Sequence, residues 1–409
     1  MTTRDFILAH RGDDIRSLAL THGKDPDVDL PYALEQIAGW QTAVRKLPSW
    51  AACEGLIYPP RLSMEQCSSE PTARYKADLM ARLTEGIARD YREEISLTDL
   101  TGGFGVDFSF MARGAGRAVY VERNAGLCDI ARHNMPLLGL SHAQIVCADA
   151  ADYLQSMPHS TFIFIDPARR DANGGKTVAI ADCTPDVSAL CHTLTVKADV
   201  VMVKLSPMLD WHKAVDDLHG LVSEVHIVST DGECKEMLLI LRTPPSGLTH
   251  DRPRLYCSVC SAHGHETLDC SDYRDTPLAI HARPASAAYL YEPNPSIMKA
   301  GCFAVITRRF DVKAVGVNSH LFLSDAPIAD FPGRKFRILA ATTMNKKQLR
   351  TALQGIDRAN IAVRNFPITA ADLRRKLRLK DGGPTYIFAT TAGNDHLLFV
   401  CEKDMTADT

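Results

Sequence analysis

A glycine-rich loop between an apolar run and a helical pattern constrains the fold of this chain more than any other feature. Residues 99–107 read Asp-Leu-Thr-Gly-Gly-Phe-Gly-Val-Asp, after a short apolar run at residues 95–100 and before an apolar helical pattern at residues 108–113. A strand, a glycine turn and a helix start allow the backbone to approach a ligand closely. A dinucleotide-binding loop has the pattern Gly-x-Gly-x-x-Gly, but the third glycine position here is Phe108. The loop therefore argues against a pyrophosphate ligand and a dinucleotide oxidoreductase.

Three further apolar runs follow the loop, and each is followed by an acidic residue. The carboxyl ends of parallel strands meet at one edge of a doubly wound sheet, where such folds bind ligands. An acidic residue about 20 positions after the loop is placed to hydrogen-bond two ribose hydroxyls. Each acid alone could equally cap a helix or lie in a solvated turn, but the ordered set predicts a ligand-binding edge. The runs are residues 118–121, 144–148 and 161–165, and the acids are Glu122, Asp149 and Asp166.

The length of 409 residues predicts several domains. Residues 95–242 alternate strands with helical stretches, which predicts a Rossmann-like α/β core with a doubly wound, mainly parallel sheet. Apolar residues at helical spacing occur at 6–20 and 32–47 and predict helices before the core. A Pro-Pro-Ser-Gly sequence at 244–247 interrupts the strand pattern. The predicted domains are an N-terminal helical region at 1–92, the core at 93–245, and small C-terminal α+β domains at 246–330 and 331–409.

The C-terminal region is strongly basic, although the whole chain has a net charge of −3. Residues 331–403 contain 14 Lys and Arg against 5 Asp and Glu, so the remainder is acidic. A basic region in an otherwise acidic chain favours an anionic polymer, such as a nucleic acid, as the binding partner. The alternative is that these lysines and arginines only form a solvent-exposed surface. The cations expected to contact phosphates are Arg364, Arg374, Arg375 and Lys376.

Targeting and membrane signals are not found. Residues 1–16 carry six charged side chains and no apolar stretch, so they do not resemble a signal peptide. No run approaches the roughly 18 apolar residues that a membrane helix needs. Twelve cysteines are scattered along the chain, several of them within apolar segments, which is typical of reduced thiols in the cytoplasm. We expect a cytoplasmic protein without a membrane partner.

One cysteine- and histidine-rich segment contains residue types that bind zinc. It comprises Cys257, Cys260, His263, His265 and Cys270. Structural zinc sites usually have two ligand pairs separated by about a dozen residues or more. These five residues lie within 14 positions, and residues 255–259 alternate like a strand. We therefore expect no metal.

The chain resembles a bacterial family of class I S-adenosylmethionine-dependent methyltransferases that carry a ferredoxin-like domain and a C-terminal THUMP-like domain. The resemblance implies an enzyme and an RNA substrate, with tRNA or rRNA expected, because true THUMP domains accompany RNA-modifying enzymes. It covers most of the chain and rests on residues 65–73, 99–107, 166–170, 204–207 and 364–367. It implies S-adenosylmethionine as cofactor, bound by Asp99, Gly102, Gly103, Gly105, Glu122 and Asp149.

The residues after the fourth and fifth predicted strands bear on which atom is methylated. Nucleobase amino methyltransferases have Asp/Asn-Pro-Pro-aromatic after the fourth strand, where the ring stacks on the flipped base. Here residues 166–169 are Asp-Pro-Ala-Arg, without an aromatic residue. Some carbon-5 pyrimidine methyltransferases have a nucleophilic cysteine just past the fifth strand. Residues 204–206 are Lys-Leu-Ser. Nucleobase N-methylation stays open as an alternative, without its strongest motif.

A third possibility is ribose methylation. RNA 2′-O-methyltransferases use a Lys-Asp-Lys-Glu tetrad, which corresponds here to Lys76, Asp166, Lys204 and Glu236. Lys204 would orient or deprotonate a ribose hydroxyl, and it could act as a base only if burial or a second cation, such as Lys76 or Arg169, lowers its pKa. The alternatives are that Lys204 extends to solvent from a strand end and that Lys76 lies on an ordinary helix surface.

Two adjacent arginines follow Asp166 at the end of the fourth predicted strand. Arg169 and Arg170 are expected to bind substrate phosphate, because two neighbouring arginines cannot both be buried easily. A pair with Asp171 is the other possibility. A non-enzymatic alternative is an RNA-binding protein with a vestigial methyltransferase core.

Overall fold

The computed structural model describes residues 1–21, 27–87, 94–169, 179–244, 252–274 and 276–404. These residues form two compact units. The first unit takes residues within 1–231, 235–254 and 258–267, and the second takes residues 232–234, 255–257 and those from 268 onward. In the described residues, no helix is both long and apolar enough to cross a membrane.

The N-terminal part of the first unit is helical. In place of the single helix expected over 6–20 there are two, because the Asp14 carboxylate accepts the Ser17 backbone N–H at 2.9 Å and starts a second helix. The helix expected over 32–47 begins two residues earlier, with Pro31 in its first turn. The helices are α1 (Thr3–His10), α2 (Ile15–Thr21), α3 (Leu30–Lys46), α4 (Pro48–Ala51), α5 (Arg61–Gln66) and α6 (Glu70–Thr84).

A nine-stranded sheet follows these helices along the chain. Its strands are β1 (Ser96–Asp99), β2 (Arg117–Glu122), β3 (Ala143–Cys147), β4 (Ser160–Ile165), β7 (Ala198–Leu205), β8 (Val222–Thr230), β9 (Glu233–Leu241), β10 (Arg254–Ser261) and β11 (Gly264–Asp269), while β5 (Ala168–Arg169) and β6 (Cys183–Thr184) form a separate pair. The order is β11-β10-β8-β9-β7-β4-β1-β2-β3. Strands β3, β2, β1, β4 and β7 are parallel, and β9 is antiparallel to β7.

The strand order reverses between β1 and β4, which makes this the topological switch point of a doubly wound sheet. Central strands are apolar on both faces because helices cover them, as Phe162 and Phe164 of β4 show by their full burial. The Rossmann-like α/β core predicted from the sequence is therefore present. The helices of this region are α7 (Val106–Met111), α8 (Ala125–Leu137), α9 (Ala150–Ser156), α10 (Val187–Lys197) and α11 (Trp211–Asp216).

The hairpin formed by β10 and β11 belongs to the nine-stranded sheet. This differs from the sequence-based boundary at 245/246, which places residues 254–269 in a separate small domain. The Pro-Pro-Ser-Gly sequence interrupts the strand pattern, but an interrupted pattern does not by itself require that the sheet ends there. Residues 245–251 themselves lie outside the described residues.

A seven-stranded sheet organises the second unit. Residues 289–293 pair with residues 333–337 in this sheet, so the predicted division at 330/331 runs through it. The elements are β12 (Tyr289–Pro293), α12 (Pro295–Ala300), α13 (Phe303–Arg309), β13 (Lys313–Ala314), β14 (Phe322–Ser324), β15 (Gly333–Thr343), α14 (Lys346–Ala352), β16 (Asn360–Arg364), α15 (Ala370–Leu377), β17 (Thr385–Ala392) and β18 (Asp395–Lys403). The strand order in the sheet is β13-β14-β12-β15-β18-β17-β16.

A buried carboxylate in β8 makes the stability of the first unit depend on pH. Arg82 Nη2 donates to Glu224 Oε2 at 2.5 Å, and His226 Nε2 lies 3.0 Å from the same oxygen. Burial by itself raises the pKa of Glu224, but the hydrogen bonds with His226 and Arg82 outweigh it and lower the pKa to about 2. The folded chain therefore keeps Glu224 ionised at a pH where the unfolded chain protonates it.

We predict that the free energy of unfolding falls as the pH drops from 4.5 towards 2, the window between the unfolded and folded pKa values of Glu224. Glu224→Gln should reduce this dependence, because the amide does not titrate. Urea denaturation at stepped pH measures it. The control is Glu65→Gln, which removes an exposed carboxylate that pairs with Arg61. An identical pH dependence in Glu224→Gln and the wild type would contradict the prediction.

Candidate active site

A cavity of about 710 Å³ opens at the carboxyl ends of β1, β4 and β7, beside the topological switch point. The loop after β1, the start of the segment after β4 and the segment after β7 line three sides of it. Residues preceding α6 complete the wall. The lining residues that carry chemistry include Ser68, Asp99, Gly102, Gly103, Gly105, Asp107, Asp166, Lys204 and Lys235.

The glycine loop has a backbone that requires glycine at its central positions. Gly103 and Gly105 have φ angles of 55° and 85°, in the left-handed region that disfavours side chains. A Cβ atom on Gly102 would lie 2.1 Å from a ring carbon of Tyr120. The hydroxyl of Tyr120 donates to the Gly103 carbonyl at 2.5 Å. The loop is therefore packed on the Tyr120 ring and opens its other side to the cavity.

The acids expected at the strand ends have distinct surroundings. Asp99 is buried and accepts the Thr101 backbone N–H at 2.9 Å; burial raises the pKa of Asp99 well above its usual value. Glu122 accepts the backbone N–H of Gly103 at 3.0 Å, so it also holds the loop. Asp149 accepts the Ala151 N–H at 2.9 Å as the N-cap of α9. Of the described residues, those lining the cavity include Asp99 but neither Glu122 nor Asp149.

Lys76 is fully buried beneath the cavity rather than on a helix surface. Its Nζ lies 2.5 Å from Glu236 Oε1, 3.1 Å from Asp107 Oδ1 and 3.2 Å from Ser68 Oγ. Ser68 Oγ in turn donates to Asp107 Oδ2 at 2.7 Å. Because these partners satisfy the ammonium group inside the protein, Lys76 is a supporting residue and does not reach a ligand in the cavity.

Lys204 extends from the end of β7 into the cavity wall. Its Nζ lies 2.6 Å from Asp166 Oδ2 and 3.5 Å from Asp107 Oδ2. Asp107 therefore lies between the two lysines, and the structure brings Lys76, Asp166, Lys204 and Glu236 into one cluster around it. The sequence-based set omits Asp107, although its position in the first turn of α7, directly after the glycine loop, was a usable signal.

The electrostatics of the cluster decide the protonation state of Lys204. Burial by itself lowers the pKa of Lys204, but the carboxylates of Asp166 and Asp107 outweigh it and raise the pKa well above its usual value. Burial likewise opposes ionisation of Asp107, while Lys76 and Lys204 keep its pKa below the usual value. Lys204 is thus an ammonium ion, which argues against the role of proton acceptor considered from the sequence. Orienting a hydroxyl remains within its chemistry.

The remaining cations expected to bind substrate are only partly described. The backbone of Arg169 lies in β5, paired with Cys183. Arg170 lies outside the described residues.

The side chains of the second unit that are expected to contact phosphates have unequal surroundings. Arg364 donates to Glu292 Oε1 at 2.7 Å, and Arg374 donates to Asp381 Oδ1 at 2.5 Å, so both already have carboxylate partners. The Arg375 side chain is 80% exposed although it pairs with Asp372. Lys376 is exposed. An anionic ligand would have to compete with Glu292 and Asp381 for the first two arginines.

Family models match the C-terminal part of the chain. A ferredoxin-like domain model matches residues 289–332, and a THUMP domain-like model matches residues 333–403. The chain is 26% identical over 347 residues to uncharacterized S-adenosylmethionine-dependent methyltransferases from two strains of Mycobacterium tuberculosis, a match that covers 83% of this chain and 86% of each relative.

A solved structure is similar over nearly the whole length. It is a candidate methyltransferase from Porphyromonas gingivalis W83, with 28% identity, a TM-score of 0.81, and coverage of 98% of this chain and 96% of that chain. An open glycine loop and a cavity at the switch point are what a cofactor-dependent enzyme of this fold requires. The two family models account for the C-terminal part of the chain. The chain is therefore an S-adenosylmethionine-dependent methyltransferase with a Rossmann-like core, a ferredoxin-like domain and a THUMP-like domain.

Proposed function

We propose that this methyltransferase acts on RNA and transfers its methyl group to a ribose 2′-hydroxyl. The observation that carries the proposal is the pairing of the Lys204 ammonium with Asp166 at the cavity wall, 2.6 Å apart, above the buried Lys76–Glu236 pair. A hydrogen-bond donor and a carboxylate side by side suit a hydroxyl acceptor, which has one lone pair to orient and one proton to lose.

Nucleobase N-methylation has less support from the cavity wall. A flipped base needs an aromatic face to stack on. The aromatic side chains among the described lining residues are Phe104 and Phe164, which are 5% and 1% exposed. Phe104 packs edge-on against Trp50, with ring centroids 4.9 Å apart. Both rings are therefore occupied by the core, and neither offers a free face to a base.

The residues around the glycine loop fit S-adenosylmethionine. Gly103 and Gly105 leave space next to the backbone and, with Glu122 and Asp149, would hold the cofactor, with Glu122 as the partner of the ribose hydroxyls. The cavity volume of about 710 Å³ falls in the range of small-ligand sites. When bound, the cofactor supplies an electrophilic methyl group on a positively charged sulfur.

The chain's own residues would then position the acceptor and take its proton. Lys204 would donate a hydrogen bond to the acceptor hydroxyl and orient one of its lone pairs. The Asp166 carboxylate would accept the proton that this hydroxyl loses on methylation. Asp107 keeps Lys204 charged throughout, so the lysine orients the acceptor and does not deprotonate it.

We predict that Glu122→Ala weakens S-adenosylmethionine binding by about tenfold to a hundredfold, because the carboxylate no longer binds the ribose hydroxyls or the Gly103 N–H. Titration calorimetry measures the affinity. Asp152→Ala is the matched control, since it removes an exposed acid in the first turn of α9 and should bind normally. Wild-type affinity in Glu122→Ala would refute this role for Glu122.

We predict that Lys204→Met and Asp166→Asn lose methyl transfer by about a hundredfold or more while still binding S-adenosylmethionine, because they remove the groups that orient and deprotonate the acceptor. The assay is labelled-methyl transfer to total RNA from a cell that lacks the gene. Lys213→Met, which removes an exposed lysine paired with Asp217, is the control and should react normally.

The position of the label distinguishes the alternatives. A 2′-O-methyl group blocks alkaline cleavage of the adjacent phosphodiester, so the label should appear in alkali-resistant dinucleotides. Label in single nucleotides would overturn the ribose assignment in favour of nucleobase methylation. RNA binding without any transfer would favour an RNA-binding protein with a vestigial core.

We propose that the exposed cations of the THUMP-like region contact RNA phosphates. The proposal is supported by the match to a THUMP domain-like model and by the surplus of nine positive charges over residues 331–403. Arg375, Lys376, Arg378 and Lys380 are exposed at the end of α15 and just beyond it. Arg378 is the C-cap of α15, with a φ of 58° that ends the helix there. Such contacts position a nucleic acid without reading its sequence.

We predict that the triple substitution Lys376→Ala, Arg378→Ala and Lys380→Ala weakens RNA binding and reduces the slope of log affinity against log salt by roughly two to three units, about one for each lost phosphate contact. Fluorescence anisotropy with labelled RNA at several salt concentrations measures both quantities. The charge-matched control is Arg16→Ala with Arg132→Ala and Lys213→Ala, three exposed cations of the first unit. An unchanged salt slope in the triple variant would contradict RNA binding by this surface.

A further inference from the structure

Three buried cysteines of the second unit converge on one point. The Sγ atoms of Cys257, Cys270 and Cys302 all lie within 4.8 Å of one another. Cys257 and Cys302 are 3.8 Å apart, and Cys270 and Cys302 are 3.1 Å apart. Each side chain is at most 3% exposed. Together these three cysteines form the thiol cluster.

The thiol cluster differs from the ligand set considered from the sequence. Cys260 lies three residues after Cys257 in β10, on the opposite face of the strand, and packs in the hydrophobic core of the first unit. His263 and His265 are exposed in the β10–β11 hairpin. The third member of the thiol cluster is instead Cys302, which lies 45 residues from Cys257 and 32 residues from Cys270 in the sequence. No local spacing rule connects these positions.

We propose that the thiol cluster is a binding site for one soft, thiophilic metal ion, held by three thiolates. Metal–sulfur bonds of about 2.3 Å place sulfur atoms about 3.8–4.0 Å apart in tetrahedral or trigonal geometry. The Cys257–Cys302 distance of 3.8 Å already matches this value. The Cys270–Cys302 distance of 3.1 Å needs to open by less than about 1 Å, which a change of side-chain rotation supplies.

Metal binding requires the three thiols to give up their protons. The positive charge of Arg309, at the end of α13, favours the thiolates of Cys270 and Cys302. Metal binding displaces the protons that remain on the thiols into solvent, so Zn²⁺ with three thiolates carries a net charge of −1 and Cu⁺ a net charge of −2. Arg309 offsets part of that charge.

The number of ligands separates the two candidate ions. Within the described residues, no fourth Cys, His, Asp or Glu joins the group. Structural zinc sites have four ligands as a rule, whereas Cu⁺ is soft and accepts three thiolates. The site is therefore expected to prefer Cu⁺ to Zn²⁺. None of the three cysteines is among the described residues that line the cavity, so the metal site is independent of the proposed RNA substrate.

The experiment uses the full chain, purified under reducing, oxygen-free conditions and freed of metal with a chelator. Cu⁺ and Zn²⁺ are titrated separately against a competing chromophoric chelator, and bound metal is counted by elemental analysis after desalting. One equivalent of metal per chain should bind, with thiolate-to-metal charge-transfer absorption. Cys257→Ser, Cys270→Ser and Cys302→Ser should each lose the equivalent, while Cys260→Ser, a buried cysteine of the same strand, should retain it.

Two results would overturn the site: the wild type retains neither ion, or the three variants bind as the wild type does. If a variant fails to fold, alkylation of the wild type decides instead. Metal should slow the modification of Cys257, Cys270 and Cys302, mapped by peptide mass spectrometry, and leave the exposed Cys147 unaffected. Equal alkylation rates with and without metal, or a Cys270–Cys302 disulfide in the reduced preparation, would overturn the proposal.

Discussion

The buried ion cluster around Asp107 is the interaction on which the site depends. One carboxylate in the first turn of α7 contacts two ammonium groups, Lys76 at 3.1 Å and Lys204 at 3.5 Å, which come from α6 and β7. Removing one member of such a cluster leaves a charge buried without its partner and costs about 3–5 kcal/mol. The helix before the sheet, the helix after the glycine loop and the fifth parallel strand are thereby linked at one point. This link holds Lys204 at the cavity and keeps it protonated.

The same cluster links the glycine loop to the proposed catalytic residues. Asp107 follows Gly105 by two residues, so the backbone that lines the cavity and the carboxylate that keeps Lys204 charged belong to one continuous turn. Tyr120 supports the loop from below, and Glu122 of the same strand anchors the Gly103 N–H. A shift of the loop would therefore alter both the cofactor site and the position of Lys204.

The second unit shows how tertiary contacts redistribute charges that the sequence presents as equivalent. The basic surplus over residues 331–403 is visible by counting, but counting does not show which cations are available. Glu292 binds Arg364 and also Arg334, and it comes from a strand more than 40 residues earlier. Arg374 is likewise paired with Asp381. The number of cations available to an anionic partner is therefore smaller than the count of Lys and Arg indicates.

The sequence by itself determined the Rossmann-like core, because apolar runs of strand length, a glycine loop and strand-end acids are local features that depend on residue type and spacing. It also brought together Lys76, Asp166, Lys204 and Glu236 as a set, through resemblance. Only the tertiary structure decided that Asp107 connects them, that Lys204 is an ammonium ion, and that Cys302 joins Cys257 and Cys270 instead of Cys260. These properties depend on distances between segments up to 160 residues apart and on burial, which no local spacing encodes.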